Sequence, residues 1–202
     1  PVLVQRLCGI CPVSHHLAAA KAMDRIVGAD ILTPTAEKMR RLMHYGQIFQ
    51  SHSLHFFHLS SPDLLFGFDA DPSTRNVIGV AKEHRELAIQ GVMMRKFGQE
   101  IIKATAGKKI HGTGAIPGGI NKNLSIAERD IFLKDMPQML QWSRDALKLV
   151  KEYTLTHLNE LTPFGTFDSN HLSIIRQDGA MDLYEGNLRA IDWQGNKIFD
   201  QV

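Results

Sequence analysis

Along the first two-thirds of the chain, apolar residues recur with the period of helices. Between Ser14 and Val27 they fall at Leu17, Ala20, Met23 and Val27, near one helical face, and Gly28 is placed to end the element. Thr33-Pro34 is a start signal, because threonine caps a helix and proline fits its first turn. The run that follows carries Met39, Leu42, Met43, Ile48, Phe49 and Phe56 as far as Ser60-Ser61-Pro62, where a break is expected. So long an element predicts a helix that spans the whole core. Pro62 to Arg75, rich in Asp and Pro, reads as a loop, and Asn76 to Ala106 reads as mostly helical, closed by Gly107.

The helical period is interrupted at KKIHGTGAIPGGINKNLS, where four glycines and a proline predict a shaped loop that follows close backbone paths. Ser125 and Glu128 have the spacing of a capping box for the next helix. Pro137 is expected to separate that helix from another reaching about Leu161. Past Pro163 the period shortens. LSIIRQ, NLRAIDW and NKIFDQV read as strands, with Gln194-Gly195-Asn196 suited to a hairpin turn. The expected fold is mainly α, a long-helix bundle with an attached α+β part. The helical body is assigned to residues 1–161 and the start of a β-rich segment to residues 162–202.

Composition adds exclusions. At 202 residues, 44% hydrophobic and 22% charged, the chain can bury a sizeable core. The net charge is only +2 and basic residues alternate with acids, as in KEHRE and SRDALK, so no nucleic-acid-binding stripe is present. No run of about 18 apolar residues predicts a membrane span, and no leader pattern is visible. The chain opens on PVLVQRL and closes on KIFDQV, and both ends are expected to be cut from something longer. The two cysteines form one CxxC, which excludes a disulfide-stapled scaffold and points to a reducing compartment, the cytoplasm.

That pair, Cys8 and Cys11 in RLCGICPVSHH, is the candidate chemistry. Four readings stand on the residues alone. The first is two small buried residues with no role. A redox dithiol at a helix N-terminus is the second, although no βαβ pattern surrounds it. A structural zinc site is the third, although a second CxxC is missing. The last is half of a larger metal site, since soft thiolates suit nickel, iron and zinc, with the other ligands coming from elsewhere.

Arg6-Leu7-Cys8-Gly9-Ile10-Cys11-Pro12-Val13-Ser14-His15 resembles the N-terminal metal motif of the nickel–iron hydrogenase large subunit, R-x-C-G-x-C-x-x-x-H. TPTAEKMRRLMHYGQIFQSHSLHFFHLSSPDLLFG, MRKFGQEIIKATAGKKIHG and IPGGINKNLSIAER resemble the same family in the same order, most nearly its cytoplasmic, NAD-reducing or bidirectional group. The likeness is good over roughly residues 1–135 and looser beyond. It implies a nickel–iron centre held by four cysteines, with carbon monoxide and cyanide on the iron, installed by maturation proteins. Cys8 would be a terminal thiolate on nickel and Cys11 a bridge between nickel and iron. His15 would donate a hydrogen bond to a bridging sulfur, and Arg6 would organise charge nearby. The implied reaction is reversible heterolytic cleavage of H2. Electrons would pass to an iron–sulfur small subunit, then to NAD(P) or another soluble carrier. Iron–sulfur clusters, FMN and NAD sites would belong to partner subunits, including diaphorase-type ones.

The family's second motif, D-P-C-x-x-C-x-x-H, and its R-G-x-E motif are absent from this chain, so the segment alone is expected to hold the bimetallic centre poorly and to be inactive. Two rivals remain: a metal-free relative such as the quinone-site subunit of respiratory complex I, and a small zinc or dithiol binding module.

Further features carry less. His44, His52, His55 and His58 fall within a stripe of roughly 120° on one helical face. They are expected to be partly buried and hydrogen-bonded across helices, with a proton relay as the sharper alternative. Pro117-Gly118-Gly119 lacks the Lys-Ser/Thr of a phosphate loop, and the family places this kind of segment near a partner interface. The eight methionines are expected as core fillers.

Overall fold

The computed structural model describes residues 1–29 and 31–202. Two compact units divide the chain, Pro1–Lys148 and Leu149–Val202. The first is helical. After a single 3₁₀ turn (Val4–Leu7) come α1 (Pro12–Ile26), α2 (Pro34–Leu54), a π-helical turn (His55–Ser60), α3 (Ser61–Phe66), α4 (Val77–Glu83) and α5 (Arg85–Ala106). A short antiparallel hairpin of β1 (Ala115–Ile116) and β2 (Gly119–Ile120) leads to α6 (Ile126–Thr156).

Local chemistry sets most of these boundaries. The Thr33 hydroxyl accepts the Ala36 N–H at 3.2 Å, and Asn76 Oδ1 accepts the N–H groups of Ile78 and Gly79 at 2.9 and 3.1 Å. Ser125 and Glu128 form the expected reciprocal cap, with Ser125 N–H donating to Glu128 Oε2 at 2.8 Å and Glu128 N–H to Ser125 Oγ at 3.2 Å. Lys122 adds its ammonium, and the carboxyl of Glu128 is pushed down to about 2. Gly107 ends α5 with φ 82°, which a side chain would oppose.

Two expected breaks do not occur. The helical path continues through Ser60-Ser61-Pro62 to Phe66 and ends at Gly67. Pro62 has no N–H to donate and its ring would crowd a tight turn. The widened turn before it removes both difficulties. Ser61 N–H reaches back five residues to the Phe56 carbonyl, and the Ser61 hydroxyl donates to the Phe57 carbonyl at 2.7 Å, supplying the bond that Pro62 cannot. Pro137 likewise lies inside α6 instead of dividing it. Pro137 and Leu133, whose carbonyl loses its partner, are both exposed, so water can take that carbonyl up.

The core lies where α2, its π turn, α5 and α6 meet. Phe57, Met94, Phe97, Ile101 and Met139 are buried together, with Phe49, Phe132, Met136 and Trp142 packed around them. Phe97 meets Phe49 and Phe132 edge-on, each at 5.8 Å between centroids. Met39, Met43, Met94 and Met139 are buried, as expected of core fillers, whereas Met93 and Met181 are exposed and do not fill the core. Backbones of α2 and α5 approach closely at Gly46 and Gly98: a Cβ on Gly98 would lie 2.6 Å from the Gly46 carbonyl oxygen. No helix among the described residues is long and apolar enough to cross a membrane.

A second, polar core joins α1, α2 and the hairpin. Arg40 on α2 is 0% exposed, and its guanidinium donates to both oxygens of buried Asp24 on α1, at 2.6 and 3.2 Å. It also donates to the carbonyls of Ile116 and Gly119 at 2.8 and 3.0 Å. Asp24 Oδ1 accepts the Gly118 N–H at 2.6 Å, where Pro117-Gly118 turns the hairpin with Gly118 at φ 76°. Burial pushes the Asp24 carboxyl up, but the Arg40 guanidinium and the Gly118 N–H outweigh it and leave the group below its ordinary range.

In the second unit, α7 (Leu158–Leu161) precedes an antiparallel meander of β3 (His171–Ile175), β4 (Asn187–Ile191) and β5 (Lys197–Asp200). These are the three strands the sequence predicts. Asp192 accepts the N–H groups of Gln194 and Asn196 at 3.0 and 2.8 Å, and Gly195 at φ 89° completes the β4–β5 turn. Arg189 and Asp200 face each other across that pair and are joined by two hydrogen bonds of 3.1 and 2.9 Å.

Arg40→Leu strips a buried carboxylate and two carbonyls of their donor. It should destabilise the complete subunit by about 3–5 kcal/mol in chemical denaturation. A loss below about 1 kcal/mol would show that this polar core is dispensable.

Candidate metal centre

Cys8 is extended, just past the 3₁₀ turn, and Cys11 is the residue before α1. Pro12 occupies the first turn of that helix, where its missing N–H is no loss. This sharp turn into the helix brings the sulfurs together. Cys8 Sγ lies 2.6 Å from Cys11 Sγ and accepts the Cys11 N–H at 3.0 Å. One turn into α1, His15 adds a ring nitrogen, and the three potential ligand atoms lie within 4.8 Å of one another. All three residues are half-buried.

The thiols are inequivalent. The Cys11 thiol and N–H both donate to Cys8, which holds Cys8 below the ordinary thiol range. Cys11 is pushed up, first by giving its proton to that bond, then by burial and by the charge on Cys8. The Cys8 thiol thus gives up its proton more readily than the Cys11 thiol.

The loop carrying the sulfurs is gripped from α2. Gln50 Nε2 donates to the Ile10 carbonyl at 2.9 Å. Gln47 receives the Ser14 N–H on its Oε1 at 2.9 Å and donates from Nε2 to the Ser14 hydroxyl at 2.6 Å. That hydroxyl also lies 3.1 Å from His44 Nε2. On the other side His16, buried in α1, accepts the Ala115 N–H on Nε2 at 3.1 Å. His111 Nε2 meets the Cys8 carbonyl oxygen at 3.2 Å.

The structure therefore brings together three of the four residues singled out in the sequence: Cys8, Cys11 and His15. Arg6 is exposed on the 3₁₀ turn. The histidine stripe needs correction. Only His44 bonds across helices. His52 is exposed and bonded to its own Ile48 carbonyl, while exposed His55 meets Ser60. The π turn changes the helical pitch, so a face counted at 100° per residue does not persist through it. Ser14, His16, Gln47, Gln50 and His111 escaped the sequence reading. A signal existed for part of this set. The inward face of α2 reads Arg40, Met43, His44, Gln47 and Gln50, polar where a core-facing helix should be apolar.

Residues 1–76 match the family model described as nickel-dependent hydrogenase. The crystal structure of an NAD+-reducing [NiFe]-hydrogenase in the H2-reduced state superposes with a TM-score of 0.95 at 56% identity. That match covers 99% of this chain and 44% of the other. The chain belongs to the nickel-dependent hydrogenase family. The hydrogenase relatives extend well beyond it. Subunit beta of the NAD-reducing hydrogenase HoxS from Cupriavidus necator is 45% identical over 95% of this chain and 42% of its own length. One subunit of the vhu F420-non-reducing hydrogenase of Methanocaldococcus jannaschii is 40% identical over 98% of this chain and 47% of its own length. The chain thus spans less than half the length of these hydrogenase subunits.

Hydrogenases of this family imply a nickel and iron centre. The donors present fit it as part of a ligand set: two convergent soft sulfurs, one of them held below the ordinary thiol range, with a histidine nitrogen close by.

Burial holds His16 and His44 neutral, with Arg40 adding to the effect at His16 and Lys21 at His44. A histidine that charges less readily folded than unfolded gives stability that is full above its unfolded value, near 6.5, and is lost as pH falls below it. The urea midpoint of the complete subunit should therefore fall between about pH 7.5 and about pH 5.5. His16→Gln, which keeps an acceptor for Ala115, should reduce that fall. An unchanged slope in the variant would contradict the assignment.

Proposed function

We propose that this chain is part of the catalytic large subunit of a cytoplasmic nickel–iron hydrogenase that works with NAD(P) or another soluble carrier. The observation that carries the reading is the convergence of Cys8 Sγ and Cys11 Sγ, 2.6 Å apart at the start of α1. The relatives, an NAD-reducing hydrogenase among them, support it.

Cys8 would hold nickel and Cys11 would be shared between nickel and iron, with carbon monoxide and cyanide completing the iron. When bound, that centre supplies the Lewis acidity and redox capacity for heterolytic cleavage of H2. The chain's own residues prepare the donors. Both thiols must lose their protons, and Cys8 is biased to do so first by the Cys11 thiol and then by the Cys11 N–H. His15, whose ring nitrogen lies within 4.8 Å of both sulfurs, would donate to one of them and reduce the charge that sulfur can give a metal. Gln50 fixes the loop backbone at Ile10, and Gln47 and His44 fix Ser14 in the first turn of α1, so that little ordering remains to be done when metal binds. Arg6, exposed beside the cysteine loop, is assigned the charge-organising role.

An iron–sulfur small subunit would receive the electrons, because this chain has no cysteines beyond Cys8 and Cys11 to hold a cluster. Diaphorase-type partners would pass them to the carrier, and maturation proteins would install the metals. Retention of both thiols disfavours the metal-free complex I relative. Their place at the start of α1 in a hydrogenase-like fold disfavours the small zinc module.

Metal analysis of the complete subunit should find nickel together with iron. Zinc alone or no metal would overturn the reading. Cys11→Ser should abolish metal assembly or turnover, and a variant that kept full hydrogen-dependent activity would contradict the role given to that sulfur.

A further inference from the structure

His111 is the one non-glycine residue with positive φ among the described residues, at 56°. It follows α5 and precedes the hairpin, 103 positions from Cys8, yet its Nε2 meets the Cys8 carbonyl oxygen at 3.2 Å. A carbonyl can only accept, so Nε2 carries the hydrogen of this contact.

The strained backbone is imposed from the side that follows it. Gly112 lies so close to the end of α5 that a Cβ would fall 2.5 Å from the Ala106 carbonyl oxygen, and one on Gly114 would fall 2.6 Å from that of Thr105. Thr113 N–H donates to the Ala106 carbonyl at 3.1 Å, and Ala115 N–H to His16 at 3.1 Å. The hairpin beyond is bound to Arg40 and Asp24. Within that frame His111 takes a left-handed conformation, and its ring meets the cysteine loop. Strain of this kind persists where the surroundings over-determine it.

The contact has a distinct place in the grip on the loop. Gln50 holds Ile10, Gln47 holds Ser14, and both act from α2. Cys8 itself lies in extended backbone outside any helix or strand, and the hydrogen bond to its carbonyl comes from His111. The direction of a residue's carbonyl and that of its Cα–Cβ bond are fixed together by its backbone angles. Holding the Cys8 carbonyl therefore holds the Cα–Cβ bond from which its sulfur projects.

We propose that His111 is a positioning residue for the nickel-facing thiolate of Cys8, acting through the Cys8 carbonyl. The proposal rests on the hydrogenase reading above and names a residue that acts without touching metal. His111→Phe removes the donor. His111→Gln keeps an N–H at comparable reach. His111→Asn tolerates the left-handed backbone but is too short to reach the carbonyl.

The test uses the complete protein in complex with its partners. It compares nickel release to a chelator, the infrared bands of iron-bound carbon monoxide and cyanide, and the thermal unfolding midpoint. The Phe and Asn variants should release nickel roughly 10–100-fold faster than the parent and show displaced bands. The Asn variant should do so with its unfolding midpoint unchanged, and the Gln variant should behave as the parent on all three measures. Parental release rates and bands in the Asn variant would overturn the proposal. So would losses that follow the unfolding midpoint across all three variants without rescue by Gln. If Phe fails to fold, Asn and Gln decide. A parent that itself lacks nickel overturns the hydrogenase reading and this proposal with it. A nickel-bearing parent with indifferent variants overturns only this proposal.

Discussion

The guanidinium of Arg40, wholly removed from water, is the constraint on which the arrangement around the cysteines depends. It binds Asp24 of α1 and two carbonyls of the β1–β2 hairpin from its own place on α2. Three elements far apart in sequence are thereby held by one side chain. A buried charge is costly unless it is paired, and here α2 carries the donor while α1 and the hairpin supply the acceptors. The arrangement is therefore discriminating: moving α1, α2 or the hairpin leaves a charge or a carbonyl unpaired.

From that junction the geometry of the cysteine loop follows. With α1 fixed against α2, Ser14 meets Gln47 and His44, and Ile10 meets Gln50. With the hairpin fixed against α1, Ala115 meets His16 and His111 meets Cys8. The apolar cluster around Phe97 supplies the bulk of the packing, while the polar set supplies the register. Two sulfurs held close together would repel as anions, and a rigid frame keeps them convergent until cations neutralise them.

Much of the fold was legible because its signals are local. Thr33, Asn76, Gly107 and the Ser125–Glu128 box act within one turn of the residues that they cap, so their chemistry can be read from adjacent letters. The strands around Gly195 were legible for the same reason. Pro62 and Pro137 misled because tertiary context overrode propensity: the Ser61 hydroxyl replaces one missing donor, and solvent takes up the carbonyl freed by the other. At the site, the CxxC and His15 were visible as one contiguous motif. Their supports were not. His111 lies 103 positions from Cys8 and Ala115 lies 99 from His16, and no periodicity links such pairs. Only the run of polar residues on the inward face of α2 marked that something other than hydrophobic packing was at work.

Hydrogen bonds from Gln50, Gln47 and His111 hold the cysteine loop and the start of α1 in shape. Hydrogen exchange on the complete subunit without its metals tests this most directly, at the amides of Ser14 and Ala115, which donate to Gln47 and His16. Both amides should stay protected without metal and gain little when nickel and iron are installed. Exchange of both at the rate of an unfolded chain until the metals arrive would contradict it.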